Sequence, residues 1–252
     1  MGITYISAAE IDLWTDKDPR RAQELLPKLL WKLILATCTT INDHHFPFEK
    51  AIQYSGFDGY LNIDDQQGTS TRSAFIPQGI SVWEMGTDKN ILKKFNDDFD
   101  KRTSSPGTVV PESTSFCFAT TRIWNSRQGI AEITRKSETE TNWRSVRIID
   151  ANSLEMWLAE CPSVAAWFAE TIGKSISGIQ TIESYWTNAI INTSPNLTPS
   201  FFTKGRKSIL ERIISLSLSG TKQFVLVDRC VHEAILTITA ELYASKELSS
   251  YA

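Results

Sequence analysis

The chain has 252 residues, of which 41% are hydrophobic and 22% are charged, and this is the composition of a folded globular protein. Its 26 basic and 29 acidic side chains give a formal charge of -3, which excludes a surface-wide polycation but leaves room for a local basic groove. The longest apolar stretch, residues 29–36, contains Lys32 and is shorter than the roughly 20 residues of a membrane span. Without a signal-peptide pattern or paired cysteines, the sequence predicts a cytoplasmic protein with reduced thiols and no membrane association.

Helices are predicted in the first forty residues. Ser7 and Glu10 have the spacing of a capping box, which predicts a short helix directly after the serine. Asp18 opens a second helical run, and Pro27 is predicted to restart it, because proline is tolerated in a first turn but not inside a helix. Residues 27–37 are apolar on nearly all sides, so this helix is expected to be buried against a sheet.

Strands alternate with helices over the next 120 residues. Short apolar or alternating runs predict strands at 51–54, 60–63, 74–76, 80–85, 115–120 and 145–149. Between them, residues 88–102 predict an amphipathic helix, residues 124–142 a helix or long excursion, and Asn152 the cap of a further helix. This alternation indicates an α/β fold whose core ends near residue 170.

The remaining part of the chain has a different composition. Residues 173–200 are rich in Thr, Ser and Asn and predict a connector that holds a short helix at 182–190. Residues 201–252 predict an α–β–α segment, with a helix at 206–218, a strand at 223–227 and a helix at 231–243, and it has about half the usual size of a domain. We therefore expect one domain over residues 1–172, a connector, and a segment that leads toward a further module.

Familiar catalytic motifs are missing from the sequence. It contains no G-x-S-x-G motif, which argues against an α/β-hydrolase. It also contains no G-x-G-x-x-G motif and no P-loop, so nucleotide binding through these motifs is not supported. The adjacent His44 and His45 are expected in a loop, without spaced metal-binding partners.

Two acids on neighbouring predicted strands carry the clearest chemical signal. Asp58 lies at a glycine-flanked strand start and Glu84 ends a strand, so a hairpin through the polar turn at 64–70 would bring both carboxylates to one edge. Paired carboxylates suit Mg²⁺, and such an ion clamps a phosphodiester and activates the attacking water. From spacing alone, a turn aspartate and an exposed strand glutamate are an equally good interpretation.

The segments around these acids resemble a known nuclease family. Residues 53–59 (QYSGFDG), 77–84 (PQGISVWE) and 94–103 are similar to PD-(D/E)xK nuclease domains, specifically the restriction-endonuclease-like module at the N-terminus of bacterial antiviral STAND ATPases of the Avs group. The resemblance covers about residues 20–170 and implies a mixed sheet flanked by helices. The tail resembles the connector that leads such nucleases into their ATPase module.

The resemblance implies roles for individual residues. Asp58 matches the first metal-binding aspartate and Glu84 the acid of the (D/E)xK strand, with the Met85 carbonyl as a further metal ligand. Gly86 stands where the family's catalytic lysine is expected, and within this superfamily that lysine migrates to the following helix. Lys94 is then the candidate to orient the water and stabilise charge on the phosphate.

Further residues are implied around this centre. Lys89 and Lys93 are the alternative candidates for the catalytic lysine. The other interpretation of Lys94 is a solvated lysine on the surface of the helix. Gln53 is expected to line the same site. Contacts to DNA phosphates are expected from three cations: Lys101, Arg102 and Arg122. The alternative, an ordinary charged surface, suits Lys101 better than Arg102.

The implied function is a Mg²⁺-dependent endonuclease, with Mn²⁺ as a possible substitute, that cuts double-stranded DNA with little sequence specificity. It would be the effector of a larger phage-sensing STAND ATPase and would act as a homo-oligomer, a tetramer in the full-length protein. The alternative is a nuclease fold that has lost catalysis and binds nucleic acid or a partner protein, which Gly86 keeps open. Cleavage of RNA is a third option, because a metal ion would contact the same phosphodiester group in RNA as in DNA.

Overall fold

A computed structural model describes residues 5–38, 40–47, 56–63, 73–125, 127–174, 182–190, 193, 197–208, 211–212, 215 and 230–244. The chain divides into two compact units, residues 1–175 and residues 176–252. Within the described part of the chain, none of the helices has the length and apolar character of a membrane span.

The described elements of the first unit alternate between helices and strands. In chain order they are α1 (Ala8–Lys17), α2 (Pro19–Thr37), β1 (Ile41–His45), β2 (Gly59–Ile63), β3 (Ile80–Gly86), α3 (Ile91–Ser104), β4 (Thr114–Thr120), α4 (Arg127–Glu140), β5 (Ser145–Ile149), α5 (Ala151–Glu160) and α6 (Pro162–Thr171). The α/β class predicted from the alternation is confirmed.

The described strands form one mixed sheet in the order β1-β2-β3-β4-β5. β1, β2 and β3 are antiparallel neighbours, so the predicted hairpin of β2 and β3 is present, whereas β3, β4 and β5 run parallel. The parallel pairs are joined through α3 and α4, since parallel strands need a crossover connection. β3 and β4 are almost wholly buried, which is expected of central parallel strands.

The two faces of the sheet are covered by different elements. On one face, Val82, Phe116 and Phe118 pack with Phe95 and Phe99 of α3 in a single apolar cluster. Side chains alternate along a strand, so the next residue of β3, the fully buried Trp83, points to the other face. There its ring contacts Phe46, which in turn stacks on Trp31 of α2.

Several local predictions are wrong. α2 runs unbroken through Pro27, because its N-terminal capping and its buried apolar face outweigh the one backbone hydrogen bond that proline removes. Residues 74–76 form a turn instead of a strand, and His44 and His45 belong to the edge strand β1 instead of a loop. The predicted strand at 51–54 lies outside the described residues.

The prediction that Asn152 caps α5 is also wrong. Asp150 is the N-cap: its Oδ1 accepts hydrogen bonds from the backbone N–H and the hydroxyl of Ser153, both at 3.0 Å. Its Oδ2 accepts from the backbone N–H of Trp124 at 3.2 Å and from Asn152 at 2.7 Å. Asn152 lies inside the helix. The capping box of Ser7 and Glu10, by contrast, is confirmed.

The second unit contains α7 (Ile182–Ile190), α8 (Pro199–Thr203) and α9 (Val231–Ala244) among its described residues. Trp186 of α7, Phe202 of α8 and Ala240 of α9 form their common core. The helices predicted at 182–190 and 231–243 are confirmed. The predicted strand at 223–227 lies outside the described residues.

The N-cap role of Asp150 can be tested through its contribution to the free energy of unfolding. Asp150→Ala removes the cap and leaves the backbone N–H of Trp124 without its acceptor, so we expect a loss of about 2 kcal/mol in the free energy of unfolding. Asn152→Ala is the matched control, and it should cost roughly 0.5–1 kcal/mol. Both are measured by urea denaturation. A larger loss for Asn152→Ala would contradict the assignment.

Candidate functional site

The β2–β3 hairpin brings the two predicted acids together. Gly59 pairs with Trp83, so Asp58, one residue before β2, lies opposite Glu84. Directly opposite residues of an antiparallel pair present their side chains on the same face. The Oδ2 atom of Asp58 accepts a hydrogen bond from the backbone N–H of Met85 at 2.8 Å, which fixes this carboxylate at the end of β3.

The acid pair faces helix α3. Val82, Glu84 and Gly86 alternate along β3 and therefore share the face that α3 covers. Because of this cover, the Glu84 side chain is only 4% exposed.

Helix α3 presents two parallel rows of side chains to the sheet. Phe95 and Phe99, one turn apart, enter the apolar core. The neighbouring row consists of Lys94, Asp98 and Arg102, at the i, i+4, i+8 spacing that places residues above one another on a helix. The phenylalanines thereby hold the three charged groups against the end of β3.

Lys94 occupies the space beside Gly86. A Cβ atom built on Gly86 would lie 2.9 Å from Cγ and 3.2 Å from Cε of Lys94, which is closer than van der Waals contact. Gly86 is not among the glycines with a positive φ, so a side chain here would be opposed by crowding against the Lys94 stem and not by backbone strain. Lys94 of α3 thus lies beside Gly86, the position on the strand where the family resemblance predicts a lysine.

Asp98 holds the ammonium group of Lys94. Its Oδ1 accepts a hydrogen bond from Nζ at 3.0 Å, and the two side chains are 13% and 32% exposed. Burial opposes the charged form of the lysine, but the hydrogen bond and negative charge of Asp98 outweigh it and raise the pKa of Lys94. Sequence reasoning assigned no role to Asp98. Its i, i+4 spacing from Lys94 was the signal available.

Arg102 closes the other side of the acid pair. Its Nε donates to Oε1 of Glu84, and its second amino group donates to the carbonyl of Gly56. The guanidinium also lies over the ring of Phe57, 4.8 Å from the centroid. A group predicted to touch phosphate is therefore engaged with Glu84, the glutamate predicted to bind metal.

Both carboxyl groups have raised pKa values. For Glu84, burial is the main cause and the negative charge of Asp58 adds to it, so its pKa rises to about 8 although Arg102 opposes the shift. Burial likewise raises the pKa of Asp58, against the hydrogen bond from Met85 and the charge of Lys94. Two buried, mutually repelling carboxylates are stabilised in their charged form by a bound cation.

The donor set fits a hard divalent cation in part. Asp58 and Glu84 supply carboxylate oxygens, the ligands that Mg²⁺ prefers, and Mg²⁺ keeps several waters. Met85 directs its N–H toward Asp58, and in an antiparallel ladder the carbonyl of the same residue points to the same side. Within the described residues, no group of three or more His, Cys, Asp or Glu side chains is arranged to hold a metal.

Other predicted residues lie in different surroundings. Lys101 is exposed in the last turn of α3, next to Arg102. Lys93 pairs with Asp97 on the exposed side of α3. Lys89 pairs with Asp16 of α1. Gln53 lies outside the described residues.

Arg122 is engaged inside the protein. Its guanidinium is 6% exposed and donates to Asp12 at 3.2 Å and Asp16 at 2.7 Å, both on α1, and to the carbonyl of Thr87 at 2.8 Å. These contacts join α1 to the segment that follows β3. We therefore leave Arg122 out of the group of cations proposed to bind phosphate.

Comparison of the chain with protein-family models, curated proteins and solved structures found no match. The functional interpretation consequently depends on the quoted motifs and on the geometry of this site.

The raised pKa of Glu84 predicts how stability changes with pH. The folded protein keeps this proton up to about pH 8, whereas the unfolded chain loses it near 4.5, so stability falls across that interval and then levels off. Glu84→Gln lacks this titration. In EDTA, its stability relative to wild type should increase by roughly 3–5 kcal/mol between pH 5 and pH 9.

The measurement is urea unfolding of both proteins at a series of pH values. Asp97→Asn, which removes an exposed carboxylate from the same helix, controls for the loss of one negative charge. A difference between Glu84→Gln and wild type that is constant over the range would contradict the assignment.

Proposed function

We propose that residues 1–172 form a restriction-endonuclease-like domain that hydrolyses phosphodiester bonds of double-stranded DNA with Mg²⁺, which Mn²⁺ can replace. One observation carries the proposal: Lys94 fills the space beside Gly86, next to the facing acids Asp58 and Glu84. Two acids and a lysine at the end of paired strands are the elements of the PD-(D/E)xK arrangement, with the lysine supplied by α3.

The residues of the site would divide the chemical work. Asp58, Glu84 and the Met85 carbonyl would hold the ion, which when bound polarises the phosphodiester and activates a water. Lys94 keeps its proton because Asp98 stabilises the ammonium form, so it can donate hydrogen bonds to the attacking water and to a phosphate oxygen.

The context of this activity is also a proposal. The net charge of -3 and the few cations near the acid pair favour weak DNA binding by a single domain. We propose that the domain is a cytoplasmic effector in phage defence, brought together in a homo-oligomer, a tetramer, by the ATPase and sensor modules of a larger STAND protein. Clustering raises the effective concentration of weak binding sites on one DNA molecule.

A second candidate function has one observation in its favour. Arg102 already occupies Glu84 through a hydrogen bond, as it would in a nuclease fold that no longer binds metal and contacts nucleic acid or a protein partner. Such a binding module would shift DNA in a gel without forming product under any metal condition.

The acid pair supplies the first test of the enzyme. We expect Asp58→Ala or Glu84→Ala to abolish degradation of plasmid DNA in Mg²⁺, a loss of at least about 10³-fold, because each removes a carboxylate from the ion. Asp97→Ala, an exposed acid of α3, is the matched control and should cut like wild type.

The assay includes EDTA and an RNA substrate, to separate a metal-dependent DNase from an RNase. Full cleavage by Asp58→Ala or Glu84→Ala would overturn the site assignment.

The migrated lysine supplies the second test. Lys94→Ala should lower the cleavage rate by about 10²–10³-fold, whereas Lys93→Ala should not, because Lys94 lies beside Gly86 at the end of β3 and Lys93 pairs with Asp97 on the exposed side of α3. In the double variant Gly86→Lys/Lys94→Ala, the stem that blocks position 86 is gone, and a lysine returns to the strand. We expect this variant to recover at least about tenfold over Lys94→Ala.

Rates are measured on plasmid DNA in Mg²⁺, with circular dichroism as a check of folding. Equal losses for Lys93→Ala and Lys94→Ala would contradict the role of Lys94.

A further inference from the structure

We propose that Arg102 exchanges partners: it hydrogen-bonds to Glu84 while the acid pair holds no metal, and it is released to bind a nucleic-acid phosphate when the metal binds. This inference rests on the proposed nuclease function, and it adds a coupling between metal binding and nucleic-acid binding through one side chain.

Arg102 has three anchors, and they differ in kind. Its charged hydrogen bond goes to Glu84, and its other contacts are the carbonyl of Gly56 and the ring face of Phe57, 4.8 Å away. Gly56 and Phe57 immediately precede Asp58, so these two anchors lie at the edge of the acid pair. The Arg102 side chain is 13% exposed and Glu84 is 4% exposed, which places the arginine between the buried acid and solvent.

Without a metal, Glu84 needs this arginine. Its carboxyl group is buried and faces Asp58, and a buried polar group is costly unless it has a hydrogen-bonding partner, which Arg102 supplies. Lys94 is held by Asp98, which leaves Arg102 as the cation that contacts Glu84.

With a metal, the same pairing is no longer required. Asp58 and Glu84 would hold a divalent cation whose charge would stabilise both carboxylates in their charged form and would repel the guanidinium, which has the same sign of charge. Gly56 and Phe57 do not depend on Glu84, so they can keep Arg102 at the edge of the site. Its planar set of donors then matches two oxygens of a phosphate, the geometry in which arginine binds nucleic acid.

The exchange makes metal and nucleic acid bind cooperatively. Coupling is reciprocal, so a metal that frees Arg102 tightens nucleic-acid binding, and nucleic acid tightens metal binding. An arginine that always contacts phosphate would strengthen binding equally with and without metal. A static structural arginine would affect neither.

The first experiment measures duplex affinity by fluorescence anisotropy, with EDTA and with Mg²⁺. A Lys94→Ala background keeps the duplex intact, and a gel checks its integrity. We expect Mg²⁺ to tighten binding through the ion itself and, by about a further tenfold, through Arg102, as one charged hydrogen-bonding contact would; Arg102→Met should remove this tenfold part of the gain and should change affinity in EDTA far less. Lys101→Met, the exposed neighbour, should weaken binding by the same factor in both conditions. Loss of affinity in EDTA for Arg102→Met equal to that in Mg²⁺ would overturn the exchange.

The second experiment releases Arg102 without a metal. In EDTA, Glu84→Ala should tighten duplex binding about tenfold because the guanidinium becomes free. The gain should disappear in Glu84→Ala/Arg102→Met. If it persists in the double variant, it comes from the loss of negative charge alone and the proposal is wrong. Arg102→Lys, which keeps the charge but not the two-armed geometry, should show an intermediate coupling and serves if the methionine variant does not fold.

A third measurement separates this inference from the function on which it rests. Mn²⁺ binding to the protein without DNA is measured by calorimetry for wild type and for Asp58→Ala. If Mn²⁺ does not bind, the nuclease proposal and the exchange are both overturned. If Mn²⁺ binds through Asp58 but duplex affinity does not depend on Arg102, the exchange alone is overturned.

Discussion

The antiparallel pairing of Gly59 with Trp83 is the contact on which the candidate site depends. It places Asp58 opposite Glu84, and a shift of one residue would turn every side chain of β2 to the other face. Gly59 allows this pairing because a Cβ there would lie 2.8 Å from the Phe46 ring and 3.0 Å from Cβ of Trp83. Close packing on one face of the hairpin therefore fixes the position of the carboxylates on the other.

Helix α3 completes the site through the same packing that stabilises the core. The buried rings of Phe95 and Phe99 set the rotation of the helix, so that the adjacent row of Lys94, Asp98 and Arg102 meets the acids. The arrangement buries three negative and two positive groups close together. Burial is the main reason the pKa of Glu84 rises and the negative charge of Asp58 adds to it, and the same two facts make a divalent cation a reasonable occupant.

Arginine and lysine have different parts in this arrangement. Lys94 is held by an acid of its own helix, so its position does not depend on the occupancy of the acid pair. Arg102 is bound to Glu84 itself, and anything that binds Glu84 changes what Arg102 can contact. Arg122, by contrast, joins α1 to the segment that follows β3 and does not contact the acid pair, so its contacts do not depend on what Glu84 binds.

The sequence by itself determined the α/β class, most of the strands and helices, and the strand pairing that places Asp58 opposite Glu84, because hydrophobic periodicity and capping patterns are local properties. It failed where tertiary packing decides: α2 passes through Pro27, and Asp150 caps α5 in place of Asn152 because it also accepts the Trp124 N–H. Only the tertiary structure assigned Asp98 to Lys94 and Arg102 to Glu84, and turned Arg122 toward α1. Charged side chains look alike in a sequence, and their partners are chosen by the packing of elements that lie far apart along the chain.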